Sequence, residues 1–357
     1  MKTIPAFVRF LAFFTSLTAL AAPTIVYVSE AGEKRIVVYA IDESSGELTR
    51  KSAVDLPAAP GSLALSLDRR HLYASMRSME VASITVDTTT GALSNPTLSS
   101  LGCNASYLHV DKTGRWLLAA AYFEGVVTVS SLANGIVGAK PVTTLETGKK
   151  AHSIQTDPAN RFAFVPHVVE LNKVEQLRFD AATGKLTSNS PSSMAGGAGQ
   201  GPRHMQFHPN GRWAYFVNEQ GQSVSRCDYD ATTGTLTLRE TVSTTPADWD
   251  KAKGSCADIH LSSDGRFAYA SNRGHDSLAV FSIDPKSGQL KSLGQTPTEK
   301  TPRSFCLVPG EKFVVAAGQG SNRLIVYRRN ASTGALTPLK TYDSGKSPAW
   351  VLGVKFP

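Results

Sequence analysis

From residue 24 onward, apolar and polar positions alternate with period two in short runs, as in residues 277–283 (SLAVFSI), and this is the pattern of half-buried β-strands rather than of helices. Residues 201–219 (GPRHMQFHPNGRWAYFVNE) show the unit most clearly. An alternating strand is followed by a tight turn at Pro209, Asn210 and Gly211, then by a second strand with a polar end, which is half of a β-meander. The same half recurs at residues 103–121 and 256–273.

Two markers set the period of the repeat. The first is a hairpin of the type Asp-x-x-(Ser/Thr)-Gly-x-Leu, with its glycine at Gly46, Gly91, Gly135, Gly184, Gly234, Gly288 and Gly334, at intervals of 44 to 54 residues. Glycine supplies the positive φ of such a turn, and the apolar residue after it starts a strand. The second marker is a Gly-Arg-(Phe/Trp) turn around Arg70, Arg115, Arg161, Arg212, Arg266 and, in degraded form, Lys312. It occurs six times where the first occurs seven. The ends explain the shortfall: residues 24–29 (TIVYVS) match the second strand of a repeat that has no first strand, and residues 347–355 (SPAWVLGVK) match a first strand with no second. A repeat array whose two ends complete one unit closes into a ring, and four-stranded units of this length are propeller blades. The expected fold is all-β, a seven-bladed β-propeller of four-stranded antiparallel blades closed by the C-terminal strand joining the N-terminal blade. Residues 188–201 and 244–255 read as loops between blades.

The first 21 residues stand outside the repeat. Lys2 and Arg9 precede an apolar stretch over residues 10–20, and Ala19, Leu20 and Ala21 at its end offer small residues for cleavage, which reads as an export signal with the mature chain, 22–357, beginning near Ala22. The expected location is periplasmic or secreted. No later stretch approaches the ~20 apolar residues of a membrane span. Without the leader the net charge is about +6 and is spread along the chain, against nucleic-acid binding and in keeping with a small anionic ligand. Cys103, Cys227, Cys256 and Cys306 show no Cys-x-x-Cys spacing, so no metal or thiol-redox chemistry is expected and free thiols are favoured. Cofactors are expected to be absent and the chain to act as a monomer.

Aligning the repeats on the Gly-Arg turn defines two positions around one end of the channel. The position at the start of the innermost strand holds Gly61, Ser106, His152, Arg203, Ala257, Arg303 and Ala349. That at the end of the second strand holds Ala31, Arg77, Tyr122, Val168, Glu219, Arg273 and Gln319. Charged and titratable groups therefore concentrate on four successive blades as His152, Arg203, Glu219, Arg273 and Arg303. Arginine forks hold carboxylates or phosphates, while a carboxylate or an imidazole moves a proton. Alternation along the strand sends His204 away from the mouth, into packing between blades. Asp258 and His260 share the next innermost strand without a settled role, and His208 is read as a turn residue. No Gly-x-Ser-x-Gly elbow, His-Glu-x-x-His run or EF-hand loop is present.

The segments 201–219, 257–272 (ADIHLSSDGRFAYASN) and 297–305 (PTEKTPRSF) resemble the lactonase-type seven-bladed propellers, the family of the bacterial propeller-type 6-phosphogluconolactonase and of carboxy-cis,cis-muconate cyclase. The resemblance implies lactone opening or its reverse, without a metal, at one mouth of the ring. It places the catalytic set at His152 (KKAHS), Arg203 (GPRH), Glu219 (VNE) and Arg273 (SNR), with Arg303, Arg77 and Tyr122 left from the alignment as substrate-binding candidates. The expected activity is hydrolysis of a sugar-acid or other carboxylated lactone, with Glu219 or His152 assisting attack by water. A muconate-type cycloisomerase or a non-catalytic binding propeller are the alternatives. An export signal argues against a phosphorylated substrate, since sugar phosphates are kept inside the cell.

Overall fold

In a computed structural model, which describes residues 23–357, the chain forms a closed ring of seven antiparallel sheets. The export-signal reading of residues 1–21 lies outside the described residues. We number the blades one to seven from the N-terminus and letter strands A to D from the channel outward. Blade five is representative, with A at Pro202–Phe207, B at Trp213–Asn218, C at Ser223–Asp230 and D at Thr235–Ser243. Blade one takes its A strand, Pro348–Lys355, from the C-terminus, where it pairs antiparallel with Thr24–Glu30 (Ile25 opposite Val354, Tyr27 opposite Leu352). The ring closure read from the two ends is thus present.

The core lies between blades rather than within them. Seven hydrophobic clusters are each shared by two neighbours. In the B strand of blade one, Val26 and Val28 pack towards blade seven while Ile25 and Tyr27 pack towards blade two. A strand buried on both faces has no solvent side, which is why TIVYVS is nearly continuous in apolar character. Both sequence markers serve the same contact. Arg115 and Arg266 donate from Nη2 to the carbonyls of Ala181 and Ala331 in the next blade's C–D turn. The hairpin glycines sit on the B strand of the preceding blade: Gly288 has φ +74°, and a Cβ there would lie 2.4 Å from the indole of Trp213. Gly288→Ala combines left-handed strain with overpacking and is expected to destabilise the ring by roughly 2–5 kcal/mol; a lowered urea midpoint checks this, and an unchanged one contradicts it.

Three details depart from the simple meander. Residues 188–195 are not loop but the end of the long D strand of blade four, Lys185–Ala195, paired with Lys173–Asp180. The backbone partners of the neighbouring strand outweigh the poor strand propensity of a Ser-rich segment. In blade three the outer edge is split, with Ile136–Val137 and Thr143–Glu146 both pairing with Val126–Ala133. In blade four the A strand shrinks to Gln155–Thr156 and a single bridge at Ala151. Its B strand carries Pro166, whose carbonyl accepts from the His152 amide at 2.9 Å but which has no N–H to return the bond. All four cysteines are free and buried.

Candidate active site at one mouth of the channel

One end of the channel opens into a cavity of about 580 Å³. Its wall includes His152, Arg203, Glu219, Arg273 and Arg303, together with Arg77 and Tyr122. All seven candidates from the two aligned positions therefore meet in one space. Of the other aligned residues, Ala31, Gly61, Ser106 and Ala349 also face it, whereas Val168, Ala257 and Gln319 are not part of its wall.

The four arginines divide into two kinds. Arg203, 1% exposed, donates from Nε to Glu219 Oε2 at 2.9 Å and from Nη1 to the carbonyl of Ala257 in blade six. Arg273 places Nη2 3.4 Å from the same carboxylate oxygen and donates to the carbonyl of Cys256 at 2.8 Å. Glu219 thus clamps two guanidinium groups with one oxygen. Arg303 and Arg77, by contrast, have no ion-pair partner among the described residues, although both border the cavity. Four cations face one carboxylate in this wall, and two of them are unspent.

His152 is buried, and its Nδ1 has no hydrogen-bond partner. Burial, with Arg203, His204 and Arg303 adding repulsion, drives its pKa well below the ordinary imidazole range. The ring is therefore neutral at neutral pH, while the same burial and cations oppose its protonation until an anion balances them. Burial likewise lowers Arg203 to about 9, with Arg273 and Arg303 contributing, which still leaves it cationic. Arg303 is lowered by burial and then by Arg273, and an anion placed between these groups would relieve the strain of like charges.

His204 differs from the expectation. The A–B register of blade five shifts between Pro202 and His204, so two residues oppose one and strict alternation is lost. As a result both Arg203 and His204 turn towards the channel. The His204 ring packs edge-on to Tyr107 and His152, each at 5.1 Å, and is tilted against Trp350 at 5.8 Å, residues of three other blades. Arg203 Nη1 is 3.1 and 3.4 Å from its two ring nitrogens, so the guanidinium lies directly against the imidazole. His204 Nδ1 meets Asp258 Oδ1 at 2.9 Å. Burial lowers His204 to about 4, helped by Arg203 and opposed by Asp258, so it is neutral beside the guanidinium.

Asp258 has a supporting role that the sequence left open. Burial works to raise its pKa, but His260 and the hydrogen bond from His204 hold it far below the carboxylate range. It also accepts from the Ile259 amide at 3.0 Å and from Ser304 Oγ at 3.2 Å. The buried anion thereby ties blades five, six and seven together below the mouth. His260 lies against it at 3.3 Å and stacks edge-on to Phe305. His208, read as a turn residue, is buried and its Nε2 lies 2.9 Å from the carbonyl of Gly265, linking the turns of blades five and six. Sequence reasoning missed Phe123 and Trp350 in the cavity wall. Each follows an aligned position by one residue, and that adjacency was the signal available.

The ring and its cationic axial cavity define a β-propeller of the small-molecule-binding kind. Comparison with known proteins makes this specific: the chain belongs to the family described as lactonase, 7-bladed β-propeller, whose model matches residues 22–353. A 6-phosphogluconolactonase of Pectobacterium carotovorum subsp. carotovorum is 36% identical over 331 residues, covering 92% of this chain and 97% of that protein. A Yersinia pestis protein of the same name is 34% identical over 329 residues, 91% of this chain and 96% of its own length. These relatives are by name lactone-hydrolysing carboxylic-ester hydrolases. Among solved structures, a periplasmic gluconolactonase of Pseudomonas aeruginosa superposes with a TM-score of 0.82 at 26% identity, covering 94% of this chain and all of that one. A putative 6-phosphogluconolactonase of Bacteroides fragilis has a TM-score of 0.85 at 24% identity over 95% of this chain and 99% of its own, and shares the fold.

Proposed function

We propose that the protein is an exported lactonase that opens a carboxylated lactone, with residues 1–21 as its removable leader and 22–357 as the mature propeller. The observation that carries the reading is the division of the mouth arginines. In this reading Arg303 and Arg77, unpaired, take the substrate's anionic group, and Arg203 and Arg273, held by Glu219, serve the reacting carbonyl. Neutral His152 accepts a proton from water as the water oxygen attacks the carbonyl carbon. The developing oxyanion is stabilised by a guanidinium, the ring C–O bond breaks, and His152 returns the proton to the leaving alkoxide. Glu219 acts as the group that aims two forks. The name of the Pseudomonas aeruginosa neighbour, a periplasmic gluconolactonase, supports a site of action outside the cytoplasm. That location argues against a sugar phosphate, and the unpaired Arg303 and Arg77 suit a carboxylate in its stead.

The test is turnover of a panel of lactones by the mature protein, measured against spontaneous opening at the same pH. Arg303→Ala is expected to raise KM about tenfold or more with a smaller change in kcat, since a charge-assisted contact to a bound anion is lost. The mass of the protein recovered from the periplasm should lack the first 21 residues. No rate above background on any lactone would leave a binding propeller as the better reading, and a cytoplasmic, uncleaved chain would remove export.

A further inference from the structure

The mouth cavity is two-sided. Its cationic wall comes from blades five to seven and Arg77. The opposite wall, from blades one to three, carries the apolar surfaces of Met76, Ala105, Tyr122, Phe123 and Trp350 among four small polar residues, Ser62, Ser75, Asn104 and Ser106, and Ser62 Oγ already accepts from the Leu108 amide at 3.1 Å. Phe123 is the unusual member. It is 75% exposed, the most exposed of the large apolar side chains among the described residues. At the corresponding turn position the other blades carry Gly32, Ser78, Val169, Gln220, Gly274 and Gly320.

The turn that carries Phe123 is firmly held. Glu124 Oε1 accepts from Asn104 through the backbone amide at 3.1 Å and through Nδ2 at 2.9 Å. Gly125, at φ +72°, packs so closely on the backbone at residues 148–149 that a Cβ would lie 2.6 Å away. The phenyl ring stands edge-on to Tyr122 at 5.0 Å, and Tyr122 stands edge-on to His152 at 5.5 Å. An aromatic ledge therefore runs from the rim to the candidate base. Polar groups on this wall are mostly committed to the protein: Ser106 Oγ lies 3.0 Å from the carbonyl of Ala120, and Asn104 is bonded to Glu124. Ser75 Oγ, buried without a partner, and the Tyr122 hydroxyl are left for one polar group of a ligand.

We infer that Phe123 is a specificity-determining residue and that the site takes an amphipathic substrate, a carboxylated lactone with an apolar alkyl or aryl substituent rather than a polyhydroxylated one. This deepens the proposed function and rests on the mouth being the substrate site. The carboxylate lies on Arg303 and Arg77, and the substituent covers Phe123 and Tyr122, removing exposed aromatic surface from water. A polyol on the same wall would lose hydration without finding enough partners.

Calorimetric titration with two single-charge probes, phenylacetate and D-gluconate, tests the inference without requiring turnover. Phenylacetate is expected to bind at least about tenfold more tightly, the scale expected for covering one ring face. Phe123→Ala should remove most of that preference. Arg303→Ala should weaken both probes alike. Gluconate binding as tightly as phenylacetate, or an unchanged ratio in Phe123→Ala, overturns the inference, including when lactones are hydrolysed. A retained preference in a protein that opens no lactone would sustain the aromatic wall and remove the hydrolytic reading instead. Because Phe123 is largely exposed, its replacement is not expected to disturb folding.

Discussion

A chain ending at Gly345 is expected to accumulate as aggregate rather than as folded protein. The segment removed contains Pro348–Lys355, the A strand of blade one, and its loss leaves Thr24–Glu30 with a full row of unpaired backbone groups. It also takes Val351 and Val354 out of the clusters joining blade one to its two neighbours, together with Phe356. At ~1.5–3 kcal/mol for each fully buried side chain of this size, the loss is comparable with the whole stability of an ordinary domain, about 5–15 kcal/mol. Further contacts at the seam go as well, including the backbone bonds from Ala31 and Gly32 to Ser347 and Lys346. Expression of the truncated chain and its melting temperature check this. A soluble product with the parent's melting temperature would contradict a closed ring.

The second large effect concerns the mouth. His152→Ala is expected to lower kcat by about 10²- to 10⁴-fold with little change in KM, the scale of a lost general base. Glu219→Gln should behave differently. It weakens the clamp on Arg203 and Arg273, so KM and kcat should both suffer, and Arg203→Lys should reproduce much of that loss because a point ammonium cannot replace the planar fork. The pH profile separates the assignments. The free imidazole has a pKa held well below the ordinary imidazole range, so its active neutral form persists through neutral and alkaline pH, and kcat/KM should fall only once the pH is well below that range. An anion on the arginines offsets part of their repulsion, so the limb in kcat should lie at higher pH than the limb in kcat/KM. An acid limb that survives in His152→Ala and disappears in Glu219→Gln would transfer the proton to Glu219. Both variants retaining the parent's rate would place the chemistry elsewhere.

The sequence was most informative where each blade repeats the same local problem. Period-two alternation, hairpin glycines at regular intervals and the Gly-Arg turns are dictated by neighbours a few residues apart, so they survive as visible patterns. The half-repeats at residues 24–29 and 347–355 disclosed ring closure because a propeller must pair its last strand with its first. Alignment on one turn then placed His152, Arg203, Glu219, Arg273, Arg303, Arg77 and Tyr122 around the mouth, since equivalent positions in a ring share one axis.

What the sequence did not determine depends on pairings and contacts between residues far apart in the chain, some within a blade and some between blades. The extra residue in the A–B register of blade five turns His204 into the channel, and a shift at the same position in blades two, three, six and seven breaks the strict alternation there too. Ser188 to Ala195 joins a strand because Lys173–Asp180 offers it backbone partners, not because of its own propensity. Asp258 is a buried anion only because donors from three blades converge on it. Likewise, Glu219 meets Arg203 within blade five and Arg273 from blade six while Arg303 and Arg77 stay free, a matter of where side chains distant in the chain come to lie, and the neutrality of His152 follows from the burial and the surrounding cations that the assembled ring imposes. Local pattern determined the blades and the ring; the pairing of charges at its mouth was decided by where side chains of blades five and six come together in the assembled ring.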